Sequence, residues 1–373
     1  METARDRGAS PAGYERVAAT LREAAGDGKR VRVRGGGTKL GWGAPVAAPD
    51  VEVDMREHDR VLEHNAGDLT AVVQAGVPLA RLQDELAAHG QMLAIDPPRD
   101  PAATVGGTIA TADSGPLRHR YGAPRDLVLG MTVALSDGTI ARTGGKVIKN
   151  VAGYDLAKLF TGSFGTLGAI LDVSLRLHPV PATATAVGQS RDLDRVAAAA
   201  SALAHSSIEA QCLDAEASSD GGRVLVRLAG GEAAAQAREA ARLLAGEGLE
   251  ADVEEDDDPI WQAQRERQRS AERTVVKVSG LQSELADQMR TAVRLEGSLV
   301  ARAAHGVAWV SVPDAAAVDE LRAALAPAPC VVLDGDHPDP WGAAPAAAGL
   351  MRRVKERFDP VGACNPGVYV GGI

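Results

Sequence analysis

A glycine-rich segment near the N-terminus has the residue types expected to bind a phosphorylated ligand. It follows the alternating strand VRVR and reads Arg34-Gly35-Gly36-Gly37-Thr38. Glycine has no Cβ, so its backbone approaches a ligand closely, and successive N–H groups can point toward one anion. Thr38 adds a hydroxyl donor. The loop suits the two negative charges of a pyrophosphate, and a tight turn without a ligand is the alternative for this segment alone.

Two further segments repeat this chemistry along the chain. The second, at 103–122, follows a Pro-Pro pair that includes Pro98. Its own candidate residues are Thr104, Gly106, Gly107, Gly115, Tyr121 and Gly122. The third, at 149–173, contains the turn GSFGTLG, which ends at Gly168, and a strand that begins at Ala169-Ile170. The first loop is not a Rossmann GxGxxG, because no helix of the required kind follows it.

Together, and in this order, the three segments resemble the FAD-binding domain of the vanillyl-alcohol oxidase/PCMH flavoprotein family. Within it they are similar to the FAD-binding E subunits of bacterial glycolate oxidases. The resemblance is strong over 15–180, moderate in the C-terminal tail and weak between them. It implies that FAD is bound by Arg34, Gly35, Gly36, Gly37, Thr38, Pro98, Thr104, Gly106, Gly107, Gly115, Tyr121, Gly122, Gly168 and Ile170.

The resemblance also implies roles for these segments. The first loop would hold the pyrophosphate, and Thr104 and its neighbours would hold the second phosphate. The segment from Gly115 to Gly122 would pass the flavin ring. The backbone of Ile170 would contact the adenine edge. The RGGGT loop contains no histidine, so the family's covalent attachment is absent and non-covalent FAD is expected. Phe164 stands where the family's catalytic D-type subunits have glutamate.

The remaining pattern predicts an α+β fold. Helices are predicted at 15–25, 78–90 and 155–159, and strands at 31–35, 51–54, 70–75 and 168–177, with a hairpin around the Asp137-Gly138 turn. After about residue 180, strands and helices alternate in an order that favours an antiparallel sheet with helices on one face. The expected fold is a two-subdomain PCMH-type FAD-binding domain at 1–180 and an α+β antiparallel-sheet cap domain at 181–344.

The last segment, 345–373, is predicted to return to the FAD domain, because the resemblance places a tail of the form FDP…NPG there. Within the cap, the acidic run Glu254–Asp258 is predicted to be a solvated loop.

The sequence does not identify the residues that would act on the substrate. Oxidation of a 2-hydroxy acid by flavin needs a base for the hydroxyl proton and a cation for the carboxylate. The GHxGDGNxH segment of the family's D-type subunits is missing from the cap, where only His305 is faintly similar. Arg118, His119 and Arg120 follow the second glycine segment and are candidates for a substrate carboxylate, for phosphate or for solvent. The catalytic residues therefore stay unassigned.

Composition excludes several classes of function. The net charge of −10 disfavours nucleic acid as a partner, because neutralising phosphates needs a basic face. The three cysteines form no CxxC pair, so no metal or iron–sulfur site is expected. The N-terminus has no apolar signal segment and no window resembles a membrane span. A cytoplasmic protein is predicted, with any membrane contact peripheral, at the inner face, and made through a complex.

Three functions remain open. The leading one is the FAD-binding subunit of a glycolate oxidase complex, which would oxidise glycolate to glyoxylate with a catalytic D-type flavoprotein subunit and an iron–sulfur F-type subunit as partners. The second is a free-standing FAD-dependent dehydrogenase of a 2-hydroxy acid or sugar-derived alcohol. The third is a scaffold subunit that kept the fold and lost the flavin. The missing histidine-rich segment favours the first, and predicts little turnover by the isolated chain.

Overall fold

The computed structural model describes residues 12–98, 100–145 and 155–373. The part of the third glycine-rich segment at 149–154 lies outside the described residues. The described residues of the first half form nine strands: β1 (Val31–Arg34), β2 (Val51–Asp54), β3 (Val61–Asn65), β4 (Thr70–Gln74), β5 (Gln91–Met92), β6 (Val128–Ala134), β7 (Ile140–Gly144), β8 (Ala169–Arg176) and β9 (His178–Pro179). Its helices are α1 (Ala12–Gly26), α2 (Leu79–Ala87), α3 (Val105–Thr111), α4 (Arg118–Tyr121), α5 (Pro124–Leu127) and α6 (Ala157–Phe160).

Three sheets are described in the first half, of which the smallest is the antiparallel pair β5-β9. β1 and β2 pair in parallel, and the larger sheet is antiparallel with the order β3-β4-β8-β6-β7. The central strand β8 is buried on both faces over most of its length. α2 covers the core with one apolar stripe, in which Leu79, Leu82 and Leu86 are buried at helical spacing.

The second half contains one eight-stranded antiparallel sheet with the order β13-β10-β12-β11-β15-β16-β14-β17. Its strands are β10 (Thr183–Ser190), β11 (Cys212–Ser218), β12 (Gly221–Ala229), β13 (Glu250–Glu254), β14 (Thr274–Ser279), β15 (Ser298–Arg302), β16 (Val307–Val312) and β17 (Cys330–Asp334). Its helices are α7 (Leu193–Ala204), α8 (Ala233–Gly246), α9 (Asp258–Glu266), α10 (Leu285–Arg294), α11 (Ala315–Leu325) and α12 (Ala348–Phe358).

The two faces of the large sheet have different partners. Helices α7, α8, α10 and α11 pack on one face over an apolar core rich in alanine, leucine and valine. Residues of the other face, Cys212 and Leu225, join the core of the first half together with Trp261 of α9. The protein is therefore α+β, as the sequence predicted, and one face of the cap sheet looks toward the first half.

The acidic run agrees with the prediction of a solvated loop at Glu254, Glu255, Asp256 and Asp258, which are exposed, but not at Asp257. Asp257 is 3% exposed. Its carboxylate accepts hydrogen bonds from Thr185 Oγ1 at 2.7 Å and from Arg227 Nη2 at 2.7 Å. A buried carboxylate is tolerated because a cation and hydroxyl donors surround it. The run thus starts α9 and ties it to the sheet.

Among the described residues, no helix combines the length and apolar character needed to cross a bilayer.

Candidate cofactor-binding site

The first glycine loop leaves β1 and lies directly against the second glycine segment. A Cβ on Gly36 would collide with the carbonyl oxygen of Ala102, and one on Gly35 would collide with the hydroxyl of Thr104. Gly37 has φ +78°, a conformation that glycine adopts without strain. The sequence interpretation assigned these glycines to ligand approach. The structure adds a second reason for glycine at positions 35 and 36, because the absence of a side chain there lets the two loops come into contact.

The second loop is fixed by its own capping interactions. Thr104 is the N-cap of α3, and its Oγ1 accepts a hydrogen bond from the backbone N–H of Gly107 at 3.2 Å. The N–H of Gly106 donates to the carbonyl of Ala75 at 2.8 Å, and a Cβ on Gly106 would come within 2.5 Å of the Ala75 side chain. The loop is therefore held on the end of β4 by close backbone packing.

A cavity of about 350 Å³ opens beside these two loops. Of the residues predicted from the sequence, those that line it are Arg34, Gly35, Gly36, Gly37, Thr38, Thr104, Gly106, Gly107, Gly168 and Ile170. The cap contributes β17 and the loop after it, and the tail contributes its last residues. Lining residues that the sequence interpretation did not assign include Trp42, Thr108, Phe164, Leu333, His337, Asn365 and Val368.

Two hydrogen-bond donors without partners indicate which kind of ligand this cavity can bind. Arg34 Nε and Thr108 Oγ1 are buried and have no hydrogen-bond partner within the part of the chain that the structure describes. Both residues line the cavity. Arg34 also pairs with Glu52 at 3.1 Å, which fixes its guanidinium. Buried polar groups are normally satisfied, so these donors fit an anionic ligand such as a phosphate group.

The other predicted residues lie away from that cavity, toward the cap. Gly115 packs so closely that a Cβ would collide with the carbonyl of Asp96, and Gly122 has φ +86°. The hydroxyl of Tyr121 accepts a hydrogen bond from Gln211 Nε2 at 3.2 Å, just before β11 of the cap. Pro98 is half-buried and outside the cavity wall. The structure thus divides the predicted set into a cavity group and a group at the cap boundary.

The C-terminal tail contributes to the cavity wall through backbone pairing. Val31 N donates to the carbonyl of Ala363 at 2.8 Å, and Asn365 N donates to the carbonyl of Val31 at 2.7 Å. Asn365 Nδ2 donates to the carbonyl of Phe164 at 2.6 Å. The tail therefore connects β1 to the GSFGTLG turn, and the NPG motif was the sequence signal for this contact.

The buried Lys355 anchors the same tail. Its Nζ donates to the carboxylate of Asp359 at 2.6 Å and to the carbonyls of Thr166 and Cys364, each at 2.7 Å. Asp359 is 1% exposed and also accepts a hydrogen bond from Cys364 N at 2.7 Å. Burial opposes the charge of Asp359, but the Lys355 ammonium and these hydrogen bonds hold its pKa below the usual range.

The four candidate substrate residues separate in the structure. The rings of His119 and His305 stack edge to face with centroids 5.4 Å apart, across the boundary between α4 and the cap. Arg118 is half-buried beside them, and its positive charge contributes to the lowered pKa of His305. Arg120 is exposed and pairs with Glu209 at 3.6 Å. Three of the four therefore gather at one place, and Arg120 does not.

The cofactor class follows from comparison with known proteins. A family model described as an FAD binding domain matches residues 8–144. The glycolate oxidase subunit GlcE of Escherichia coli is 31% identical over 249 residues, which cover 66% of this chain and 67% of that protein. The mitochondrial D-lactate dehydrogenase [cytochrome] 1 of Saccharomyces cerevisiae is 38% identical over 183 residues, but these cover 48% of this chain and only 31% of that protein.

A solved structure extends the similarity to the whole fold. An alkyldihydroxyacetonephosphate synthase superposes with a TM-score of 0.70 over 94% of this chain and 74% of that chain, at 17% identity. The fold is thus that of a PCMH-type FAD-binding protein with a cap. The chain belongs to the family of FAD-dependent oxidoreductases that includes the E. coli glycolate oxidase subunit GlcE.

Proposed function

We propose that this chain is the FAD-binding subunit of a glycolate oxidase complex, in which a small 2-hydroxy acid, glycolate, is oxidised to glyoxylate. The similarity to GlcE carries this proposal, because it extends over two thirds of both chains and includes cap residues beyond the FAD-binding model. The D-lactate dehydrogenase relative supports the coarser class of 2-hydroxy acid oxidoreductase.

The proposed binding of FAD uses the donors already described. The N–H groups of the Gly35–Gly37 loop, the Arg34 guanidinium and the Thr108 hydroxyl would hold the pyrophosphate. Gly168 and Ile170 would take the adenine end, and the group from Pro98 to Gly122 would approach the flavin ring. When bound, FAD supplies the acceptor for the hydride of the hydroxy acid. Attachment would be non-covalent, since no histidine stands in the first loop.

Apolar residues of this chain would also exclude water from the flavin site. Trp42 packs with Trp309 and Leu333 of the cap sheet in one apolar cluster. Lys39 and Asp113 form an ion pair at 3.2 Å next to this cluster, with side chains only 7% and 4% exposed. Removing water strengthens the electrostatic interactions that position an ionic substrate.

The proposed partners are a catalytic D-type flavoprotein subunit and an iron–sulfur F-type subunit. The free thiols Cys212, Cys330 and Cys364 are all buried and belong to different parts of the fold. An iron–sulfur cluster for onward electron transfer would therefore come from another chain. We propose a cytoplasmic location, with any peripheral contact at the inner membrane face made through the complex. We also propose that the chain divides into an FAD domain (1–180 with 345–373) and a cap (181–344).

A free-standing 2-hydroxy acid dehydrogenase is the second candidate. The gathering of Arg118, His119 and His305 favours it, because a cation and imidazoles are the groups that such chemistry needs.

The experiment compares the chain alone with the chain co-expressed with D-type and F-type subunits. We expect a yellow protein that co-purifies with both partners and reduces a dye with glycolate only in the complex. Acid precipitation should release all flavin to the supernatant, and yellow colour left in the pellet would contradict non-covalent binding. A chain that binds no partner and reduces the dye alone would replace the proposal with the second candidate.

A further inference from the structure

A second cavity, of about 780 Å³, lies on the cap sheet. It is formed mainly where β10 and β11 end and where β12 and β15 begin, beside the residue that follows α9. Among the described residues, the walls of this cavity and of the cofactor cavity have no member in common. A volume of this order accommodates a small molecule. The cavity is therefore a candidate site for a ligand other than the cofactor.

The floor of this second cavity is a row of paired residues on one face of the sheet. Gln189 of β10 lies opposite Arg223 of β12, and Arg223 lies opposite Glu216 of β11. Directly paired residues point to the same face, and so do residues two apart on one strand. The row therefore shares the face of Cys212 and Leu225, which join the core of the first half. At this end of the strands, the same face opens into the cavity.

Small residues make room beside this row. Gly221 lies opposite Ser218 at the next position on the same face of the β11–β12 pair, and Ser298 of β15 also lines the cavity. The Ser218 hydroxyl accepts a hydrogen bond from the backbone N–H of Asp220 at 3.3 Å, so its own hydrogen is left to donate. The floor thus combines space with polar groups.

Glu216 has an unusual environment in this site. It is 6% exposed, and its Oε2 accepts hydrogen bonds from Arg223 Nε at 2.6 Å and from Arg267 Nη1. Its other oxygen, Oε1, is buried and has no hydrogen-bond partner in the part of the chain that the structure describes. A buried carboxylate oxygen without a donor costs free energy. Glu216 Oε1 therefore fits a ligand that carries N–H or O–H groups.

The two arginines keep most of their donors for a ligand. A guanidinium carries five N–H groups, and Glu216 is the hydrogen-bond partner that the described residues provide for each side chain. The Arg223 side chain is 26% exposed and the Arg267 side chain 52% exposed. Because an exposed side chain changes rotamer readily, rotation of Arg267 gives a ligand access to Glu216. The remaining N–H groups suit a carboxylate, whose planar shape matches a guanidinium.

The charges of the site disfavour a simple ion. An anion alone is repelled by the Glu216 carboxylate, and a cation alone is repelled by two guanidinium groups. The exposed residues at the rim, Arg191, Asp220 and Glu250, carry charges of both signs that solvent and salt screen. A ligand that carries an ammonium group one carbon atom away from a carboxylate satisfies both requirements.

We infer that this cavity binds the zwitterion of an α-amino acid, whose ammonium group donates to Glu216 Oε1 and whose carboxylate accepts from Arg223 and Arg267. The side chain of the amino acid lies over Ser218 and Gly221, where the residues of the floor are small. The inference goes beyond the proposed function, because it concerns cap residues alone and requires neither the flavin nor a partner subunit.

Calorimetric titration of the flavin-free and the flavin-loaded chain tests this inference. Every standard amino acid is titrated, and acetate, methylammonium and inorganic phosphate serve as probes that carry charge of one sign. The variants Glu216→Gln and Arg267→Gln each remove one charged contact. Arg238→Gln is the matched control, because Arg238 is an exposed cap arginine that pairs with Glu255 outside the cavity wall.

At least one amino acid should bind saturably, and with the same affinity with and without FAD, because the two cavities have separate walls. Arg238→Gln should bind it as the unchanged chain does. Glu216→Gln and Arg267→Gln should each weaken binding about 10- to 100-fold, as expected for loss of a charged hydrogen bond. Since Arg267 is half-exposed, Arg267→Gln should keep the melting temperature of the unchanged chain, which separates loss of the site from damage to the fold.

Absence of saturable binding by every amino acid would overturn the inference, as would equal binding by Arg267→Gln and the unchanged chain. Acetate, methylammonium or phosphate binding as tightly as the best amino acid would show a site for a simple ion instead. Loss of amino-acid binding on loading with FAD would place the ligand in the cofactor cavity and also contradict the inference. A chain that binds an amino acid in this way but no FAD would disprove only the proposed function.

Discussion

The cofactor cavity and the group formed by Arg118, His119 and His305 are built in opposite ways. The cavity is formed mostly by short contiguous loops, such as Gly35–Gly37 and 104–107, whose glycines pack against each other. The second group joins residues from distant parts of the chain, such as His119 and His305, whose ring centroids are 5.4 Å apart because the cap sheet lies on α4. The cavity depends on local backbone packing, whereas the second group depends on tertiary contacts between distant segments.

The difference predicts different responses to mutation. A change in the glycine loops alters backbone packing, so it should damage cofactor binding strongly. A change at Arg118, His119 or His305 replaces a single side chain, so it should leave the backbone packing of the glycine loops intact.

Gly36→Val should have the largest effect, with loss of nearly all bound FAD. Its Cβ would meet the carbonyl oxygen of Ala102 and force the two glycine loops apart. Overpacking of this kind costs roughly 1–3 kcal/mol and displaces backbone donors. The flavin to protein absorbance ratio after gel filtration measures the loss.

Gly41→Ala is the control for that variant. Gly41 belongs to the same loop region, but no atom lies within 4 Å of the Cβ that the substitution adds. It should keep its flavin. Full flavin occupancy in Gly36→Val would show that contact between the loops is not required.

Asp359→Ala should have the next largest effect, destabilising the protein by about 3–5 kcal/mol, because it leaves the Lys355 ammonium buried without its carboxylate. The free energy of unfolding from urea titration measures this. Glu356→Ala, at an exposed position of the same helix, should change it little. Equal effects of the two substitutions would mean that the buried pair does not anchor the tail.

The same ion pair should be sensitive to acid. The pKa of Asp359 is lowered in the folded state, so the stability it contributes is fully present above its ordinary pKa. That contribution is lost as the pH falls through the lowered value. In urea titrations at pH 7 and pH 3, the stability difference between the unchanged chain and Asp359→Asn should therefore shrink at the lower pH. A constant difference would contradict the charged pair.

Asn365→Ala should have the smallest effect, a loss of about 1 kcal/mol, since one hydrogen bond to the Phe164 carbonyl disappears. FAD should still bind, with a modestly raised dissociation constant measured by fluorescence quenching. A loss as large as that in Asp359→Ala would show that the NPG contact, and not Lys355, holds the tail.

Sequence patterns predicted the elements whose signals are local. β2 (Val51–Asp54) has the predicted bounds, because its apolar spacing matches the two-residue period of a strand. β10 lies in the segment VPATATAVGQSRDLD, which was interpreted as the domain boundary near residue 180 because its alternating alanine and threonine resemble a polar linker. α9 and its buried Trp261 were missed because an acidic run precedes them.

The residues of the candidate site also differ in how well the sequence predicts them. Glycine loops are visible because close backbone contact demands one residue type at adjacent positions. The unused donor of Thr108 depends on which atoms surround it, and only the fold shows this.

The isolated, flavin-loaded chain mixed anaerobically with glycolate tests the account most directly. The FAD site of this chain is proposed to be complete, while its cap lacks the GHxGDGNxH segment, so the flavin band near 450 nm should shift on binding but bleach slowly or not at all. A general base contributes about 10²–10⁴-fold to such a reaction, and that factor should return when the partner subunits are added. Rapid and complete bleaching by glycolate, D-lactate or L-lactate without partners would contradict the account. It would also make Arg118, His119 and His305 the residues of a free-standing dehydrogenase.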